Sequence, residues 1–121
     1  MRKEMEDRLI SFAVMLYDVC ENIDRGFIGT NLVNQLIRSG TSSALNYAEA
    51  QSAESRKDFI HKTSIVLKEL RESGYNLTII QKSGICNDPE KVQKAIEESQ
   101  ELISIFYRSV ETARKNAKNE K

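Results

Sequence analysis

The chain has 121 residues, enough for one globular domain but not for two of ordinary size. Hydrophobic residues make up 40% of the sequence and charged residues 30%, with one proline and five glycines, which is typical of a helical soluble protein rather than a disordered one. The 18 basic and 18 acidic residues give a formal net charge of zero, which excludes binding to polyanions through overall charge.

The two cysteines, Cys20 and Cys86, fit neither a disulfide framework nor a zinc motif, which needs closely spaced pairs of ligands. We expect two free thiols. Acidic residues precede any apolar run in residues 1–10, and no segment approaches the roughly 18 apolar residues of a membrane span. We therefore expect a cytoplasmic protein with no membrane contact.

The first segment has apolar residues at alternating intervals of four and three, which predicts a helix over residues 3–25 with a heptad seam. The seam residues are Met5, Leu9, Phe12, Leu16, Val19 and Ile23. Gly26 and Gly29 then flank a turn, in which we expect Phe27 and Ile28 to cover one end of the core.

Thr30 is the expected N-cap of a second helix over residues 31–53. Its predicted inner face consists of Val33, Leu36, Ile37, Gly40, Ala44, Tyr47 and Ala48. Small and polar residues fill much of this helix, and an interior glycine costs about 1 kcal/mol relative to alanine. We therefore expect the closest helix crossing of the fold here, where small side chains let two backbones approach.

Ser55, followed three residues later by Asp58, resembles a capping box and predicts a third helix over residues 56–83 that Gly84 ends. The residues of its seam again recur at intervals of three and four. The seam residues are Phe59, Thr63, Val66, Leu70, Ser73, Leu77 and Ile80.

Asn87 and Pro89 supply a cap residue and a first helical residue for a fourth helix over residues 89–115. Its seam residues are Val92, Ile96, Ser99, Ile103, Phe106, Val110 and Ala113. Four long helices with short turns predict an all-α, antiparallel up-down-up-down four-helix bundle, with residues 1–121 as a single domain. A single long coiled coil is the alternative, and the three turn signals argue against it.

Residues of the second and third helices resemble a known family. The shared residues are Gln35, Leu36, Arg38, Asn46, Ala48, Glu49, Ser55, Lys57, Asp58, Phe59 and Glu72. The sequence is similar to the four-helix-bundle family encoded in intervening sequences of bacterial 23S rRNA genes, also called the S23 ribosomal protein family. Ala50 departs from the usual glycine of the family, and Lys68 and Glu69 replace a Gly-Ser pair.

The resemblance implies an up-and-down bundle that often forms a homopentameric ring and has no established enzymatic activity. The accessory protein of diversity-generating retroelements, which works with a reverse transcriptase and RNA, is similar in fold.

Asn46, Glu49 and Glu72 are candidates for a polar cluster between the second and third helices, because antiparallel neighbours bring such positions together. We expect a structural network that fixes helix register; a partner contact and a carboxylate or metal site are the alternatives. Metal-binding bundles use Glu-x-x-His pairs, and His61 is the only histidine. We therefore predict no catalytic, metal-binding or cofactor-binding residues and no enzymatic activity.

Charge is distributed unevenly along the chain. Residues 1–24 contain three basic and six acidic residues, whereas residues 55–84 contain six basic and three acidic ones. The third helix therefore offers phosphate contacts, for which the candidate residues are Arg56, Lys57, Lys62 and Arg71. The alternative is that the acidic first helix pairs with the basic third, within a protomer or between protomers.

Apolar residues outside the seams exceed what an isolated bundle needs. They are Ile10, Tyr17, Leu45, Ile65, Tyr75, Ile79, Ile105 and Tyr107. Exposed apolar patches are typical of oligomer contacts, so we expect a homo-oligomer, a pentamer by family resemblance. The predicted function is a non-enzymatic, self-assembling interaction protein that associates with structured RNA or a nucleoprotein complex. The alternative is a protein-binding scaffold with no nucleic-acid role; neither requires a small-molecule substrate or cofactor.

Overall fold

The structure is a computed structural model and describes residues 2–119. These residues form four α-helices: α1, Arg2–Cys20; α2, Phe27–Gln51; α3, Arg56–Ser83; and α4, Pro89–Asn119. Each helix lies beside the next one in sequence, and α4 returns to pack against α1. The fold is the predicted all-α, antiparallel four-helix bundle, in which α1 and α3 occupy opposite corners.

The heptad spacing predicted the buried faces of α3 and α4. Most seam residues are buried, whereas Phe59 and Ile103 are only partly covered. The buried seam residues are Thr63, Val66, Leu70, Ser73, Leu77 and Ile80 in α3, and Val92, Ile96, Ser99, Phe106, Val110 and Ala113 in α4. A ring pair joins α2 to this core, because Tyr47 packs edge-to-face on Phe106 with ring centroids 5.6 Å apart.

The ends of α3 also follow the sequence signals. Ser55 Oγ accepts a hydrogen bond from the backbone N–H of Asp58 at 3.0 Å, which satisfies one of the free donors of the first turn. Gly84 ends the helix in the left-handed conformation, with φ of 69°. Both features depend on residues that are close together in sequence, so they can be predicted before the fold is known.

The prediction that the first helix extends to residue 25 is wrong, because α1 ends at Cys20. Ile23 instead forms an isolated antiparallel bridge with Cys86 in the turn between α3 and α4. The backbone N–H of Asn87 also donates to the carbonyl oxygen of Asn22 at 2.7 Å. This contact between two distant turns overrides the helical periodicity, and both cysteines are free and buried beside it.

The N-terminus of α2 differs from the prediction as well. The helix begins at Phe27 after Gly26, so Thr30 lies inside it and is not the N-cap. Phe27 and Ile28 were expected to cover the core, yet they are 88% and 65% exposed. Gly29 occupies the inward position, where a Cβ atom would lie 1.9 Å from the carbonyl oxygen of Asp24. The close backbone approach at this glycine turns the two larger side chains outward.

The small-residue region of α2 packs against α1 at Gly40. A Cβ atom added at Gly40 would lie 2.6 Å from Cδ1 of Leu16 and 3.7 Å from Cα of Ala13. Leu16 is buried, so its side chain occupies the space that the glycine leaves open.

The inner face of α2 is rotated from the predicted one. Ser39 and Ser43 are buried, whereas Ile37 and Ala48 are exposed. The buried hydroxyl groups are satisfied: Ser39 Oγ lies 2.7 Å from Ser73 Oγ, and Ser43 Oγ donates to a carbonyl oxygen of its own helix at 2.8 Å. Hydrogen bonding therefore allows serine where the apolar pattern favoured isoleucine and alanine.

Candidate nucleic-acid interface

The three residues of the predicted polar cluster contact separate partners. Asn46 Nδ2 donates to the carbonyl oxygen and the Oγ of Ser42, at 2.9 and 3.0 Å within α2. Glu49 accepts a hydrogen bond from Lys62 Nζ at 2.6 Å, close to the turn between α2 and α3. Glu72 lies three turns further along α3, so the antiparallel register places it opposite an earlier part of α2. The expected joint network of all three side chains is therefore not formed.

Glu72 belongs instead to a group that includes Arg38 and Glu69. Arg38 Nη2 lies 2.9 Å from Glu72 Oε2, and Arg38 Nη1 lies 3.5 Å from Glu69 Oε2. The Glu69 side chain is only 9% exposed, and its Oε1 has no hydrogen-bond partner among the described residues. Burial raises the pKa of Glu69, whereas the hydrogen bond with Glu69 lowers the pKa of Glu72. Glu69 is therefore the carboxyl group that protonates first as the pH falls.

The four cations predicted to contact phosphate lie in different parts of α3. Arg56 and Lys57 occupy the first turn, and Lys62 is held by Glu49. Arg71 lies fifteen residues beyond Arg56, a distance of about 22 Å along the helix. The structure therefore spreads these cations along the helix instead of concentrating them in one patch.

The acidic first helix does not pair with the basic third helix within one protomer, because α1 and α3 are not neighbours. α1 instead forms an ion pair with α4, in which the guanidinium of Arg8 donates two hydrogen bonds of 2.8 Å to the carboxylate of Glu98. A pairing between copies stays a prediction.

Arg71 does contribute to a cationic site, which lies between α3 and α4. Two adjoining cavities of about 270 and 400 Å³ share Arg71 and Tyr75 in their walls. We call the two cavities together the α3–α4 groove and define it by the residues Lys68, Arg71, Gly74, Tyr75, Tyr107 and Arg114.

Three cations face this groove against two carboxylates. Lys68, Arg71 and Arg114 line it together with Glu72 and Glu111. The charge of Glu72 is already matched by Arg38. Arg71 forms no ion pair with any residue between 2 and 119, so its guanidinium remains available to an anion. The groove is therefore locally positive in a protein without net charge.

Two tyrosines complete the groove. Tyr75 is 74% exposed and Tyr107 is 50% exposed, although large aromatic side chains usually bury most of their surface. The sequence contains no run of alternating basic and aromatic residues, so sequence reasoning missed this site. Its signal is split between two helices: Lys68, Arg71 and Tyr75 share one face of α3, and Tyr107 and Arg114 share one face of α4.

The remaining polar candidate from the sequence is His61. His61 is exposed near the start of α3. Residues 2–119 hold no group of three or more His, Cys, Asp or Glu side chains arranged to bind a metal ion. Over the same range, no helix has both the length and the apolar content needed to cross a membrane.

These features define a small antiparallel helical-bundle protein with a cationic, aromatic groove on one face. The sequence profile of the 23S rRNA-intervening sequence protein family matches residues 4–108, so the chain belongs to that family, as the sequence resemblance predicted.

A solved structure is similar to this protein along most of both chains. It is a protein of unknown function from the S23 ribosomal protein family of Bacteroides thetaiotaomicron. The two structures superimpose with a TM-score of 0.76 at 30% sequence identity, over 87% of this chain and 96% of that chain. No curated protein matches the sequence.

Proposed function

We propose that this protein is a non-enzymatic, self-assembling bundle that associates with structured RNA through the α3–α4 groove. The observation that carries the proposal is the convergence of Lys68, Arg71 and Arg114 on one groove in a chain of zero net charge. A local cationic surface is what phosphate binding needs, and the guanidinium of Arg71, which forms no ion pair within residues 2–119, can bind a phosphate through two donors. Self-assembly would repeat the groove and multiply a weak contact.

The number of cations sets the expected dependence on salt. A protein that neutralises three phosphates releases their counterions, so the logarithm of its affinity falls with the logarithm of salt concentration with a slope of about −2.1 to −2.7. Between about 50 and about 200 mM salt, the affinity should therefore fall about 20- to 40-fold.

The test is a fluorescence anisotropy titration of a labelled RNA hairpin with the wild-type protein at the two salt concentrations. Arg71→Glu reverses a charge in the groove and should weaken binding about tenfold at low salt. Lys94→Glu makes the same charge change at an exposed cation of α4 outside the groove, so it should leave the affinity within about twofold. An affinity that does not change with salt concentration, or equal losses of affinity in the two variants, would contradict the proposal.

A second candidate function is a protein-binding scaffold with no nucleic-acid role. It is favoured by an apolar stripe on α1, where Ile10, Val14 and Tyr17 are each more than half exposed. Their spacing of four and three places them on one face of the helix, and such a patch is typical of protein contacts.

The scaffold function makes a separate prediction. A pull-down with tagged wild-type protein should retain one protein partner after nuclease treatment, and Val14→Asp should release that partner because it places a charge in the stripe. Arg71→Glu should not affect this interaction. If nuclease removes every partner, the scaffold function is excluded.

A further inference from the structure

We infer that the α3–α4 groove binds an unpaired nucleobase of single-stranded or looped RNA, which stacks on Tyr75 over the floor that Gly74 leaves open, while Tyr107 lines the adjoining cavity. This inference rests on the proposed function and specifies which part of an RNA the groove takes.

The first support is the arrangement of aromatic rings and cations. Tyr75 lies one turn after Arg71 on α3, and Tyr107 lines the same cavity from α4. Exposed aromatic faces next to cations are how proteins bind single strands: the rings stack on bases and the cations hold the backbone. Each stacked base contributes roughly five- to hundredfold to the affinity.

The second support is Gly74, a helix-interior glycine that the protein's own packing does not require. A Cβ atom at this position would lie 3.5 Å from Ser99 Oγ and 3.7 Å from Ile103 Cδ1, which are ordinary contact distances. Gly40 differs, because a Cβ there would lie 2.6 Å from Leu16. Alanine would fit at residue 74 and favour the helix. Glycine at this position therefore lowers the stability of the helix relative to alanine, and packing does not require it.

What Gly74 provides is space in the groove. Ser99 and Ile103, the two side chains nearest to the absent methyl group, also line the cavity that Arg71 and Tyr75 border. A methyl group would therefore fill part of the floor between the helices. An open floor beside the exposed ring of Tyr75 suits a flat ligand that stacks on that ring.

The groove also contains groups that match the other parts of a nucleotide. Gln100 lines the cavity of Gly74 and Tyr75, and its amide can both donate to and accept from the edge of a base. Glu111 lies toward the Arg114 end and would repel phosphate, so the backbone should pass over Lys68 and Arg71. Bases within an RNA duplex are already stacked on one another and hide their faces, so the inference specifies an unpaired nucleotide.

The test compares a labelled single-stranded RNA of about 12 nucleotides with the same strand annealed to its complement. The wild-type protein should bind the single strand about tenfold more tightly than the duplex. Tyr75→Ala should weaken single-strand binding about tenfold and leave duplex binding unchanged, and Tyr75→Phe, which retains the ring, should recover most of the loss. Circular dichroism melts of each variant check that the fold is intact.

Gly74→Ala separates a ligand role from a structural one. It should raise the melting temperature and weaken single-strand binding, a combination that a purely structural glycine would not produce. Unchanged single-strand affinity in the Gly74→Ala variant would overturn the role of the open floor.

The remaining outcomes distinguish the inference from the proposed function. Equal affinity for single strand and duplex, or full binding by Tyr75→Ala, would overturn base stacking, while a loss of binding in Arg71→Glu in the same experiment would leave RNA association standing. If the wild-type protein binds neither RNA at low salt, both the inference and the proposed function are wrong.

Discussion

At the scale of single residues, two glycines in helix interiors have opposite packing environments. We predict that Gly40→Ala lowers the free energy of unfolding by about 1 kcal/mol, because the methyl group must displace buried Leu16 and this cost exceeds the gain in helix propensity. Gly74→Ala should raise it by up to about 1 kcal/mol, because its methyl group meets only ordinary contacts. Urea unfolding of both variants measures the difference, and a stabilising Gly40→Ala would show that the α1–α2 crossing is looser than described.

A second residue-scale prediction concerns Cys20. Burial raises the pKa of its thiol to about 11, so the folded protein keeps a proton that the unfolded chain loses above its ordinary pKa of 9.0. Because the folded pKa lies above the unfolded one, the stabilisation from this thiol is fully present below pH 9 and is lost as the pH rises toward 11. Over this window the free energy of unfolding should fall by up to about 2 kcal/mol through Cys20.

The measurement is urea unfolding of wild type and Cys20→Ala at several pH values between these limits. Other groups also titrate there, so the matched variant supplies the baseline. The stability of Cys20→Ala should fall less steeply with pH than that of wild type, and parallel curves would contradict the assignment.

The contact between Arg8 and Glu98 supplies a prediction at the element scale, because it ties α1 to α4. The two hydrogen bonds of 2.8 Å form a bidentate pair that is only partly exposed to solvent. A double-mutant cycle with Arg8→Met and Glu98→Gln should give a coupling of about 1 kcal/mol, the upper end for pairs near a surface. The coupling should fall as salt is added. A coupling near zero at low salt would mean that apolar packing alone holds α1 in place.

The sequence predicted some elements better than others for a physical reason. Large apolar residues recur along α3 and α4, so their spacing identified most of the buried positions, although Leu67 and Leu102 are buried outside the predicted seams. In α2, serine and glycine carry no apolar signal, and the inner face was placed incorrectly at Ile37 and Ala48. The end of α1 was missed because a partner 63 residues away in sequence, Cys86, pairs with Ile23.

The candidate site was partly predictable for the same reason. Arg71 was identified from the charge of α3, but its neighbours in the groove come from both α3 and α4. Tyr75 and Tyr107 were recognised only as surplus apolar residues. Which cations share a surface depends on how two helices face each other, and a linear charge count does not contain that information.

Self-association is the prediction at the scale of the whole molecule. We expect the wild-type protein to form a homo-oligomer through the apolar stripe of α1, and light scattering coupled to size exclusion measures its mass directly. Val14→Glu places a charge in the stripe and should shift the protein toward the monomer. Thr41→Glu adds the same charge at an exposed polar residue of α2 outside the stripe and serves as the control. A monomeric wild-type protein would contradict the expectation.

The central claim is that RNA lies in the α3–α4 groove, and ultraviolet cross-linking followed by peptide mass spectrometry tests it most directly. A single-stranded RNA bound to the wild-type protein should cross-link to peptides that contain Tyr75 or Tyr107. Cross-links confined to the first turn of α3, around Arg56 and Lys57, or located on α1, would contradict the account.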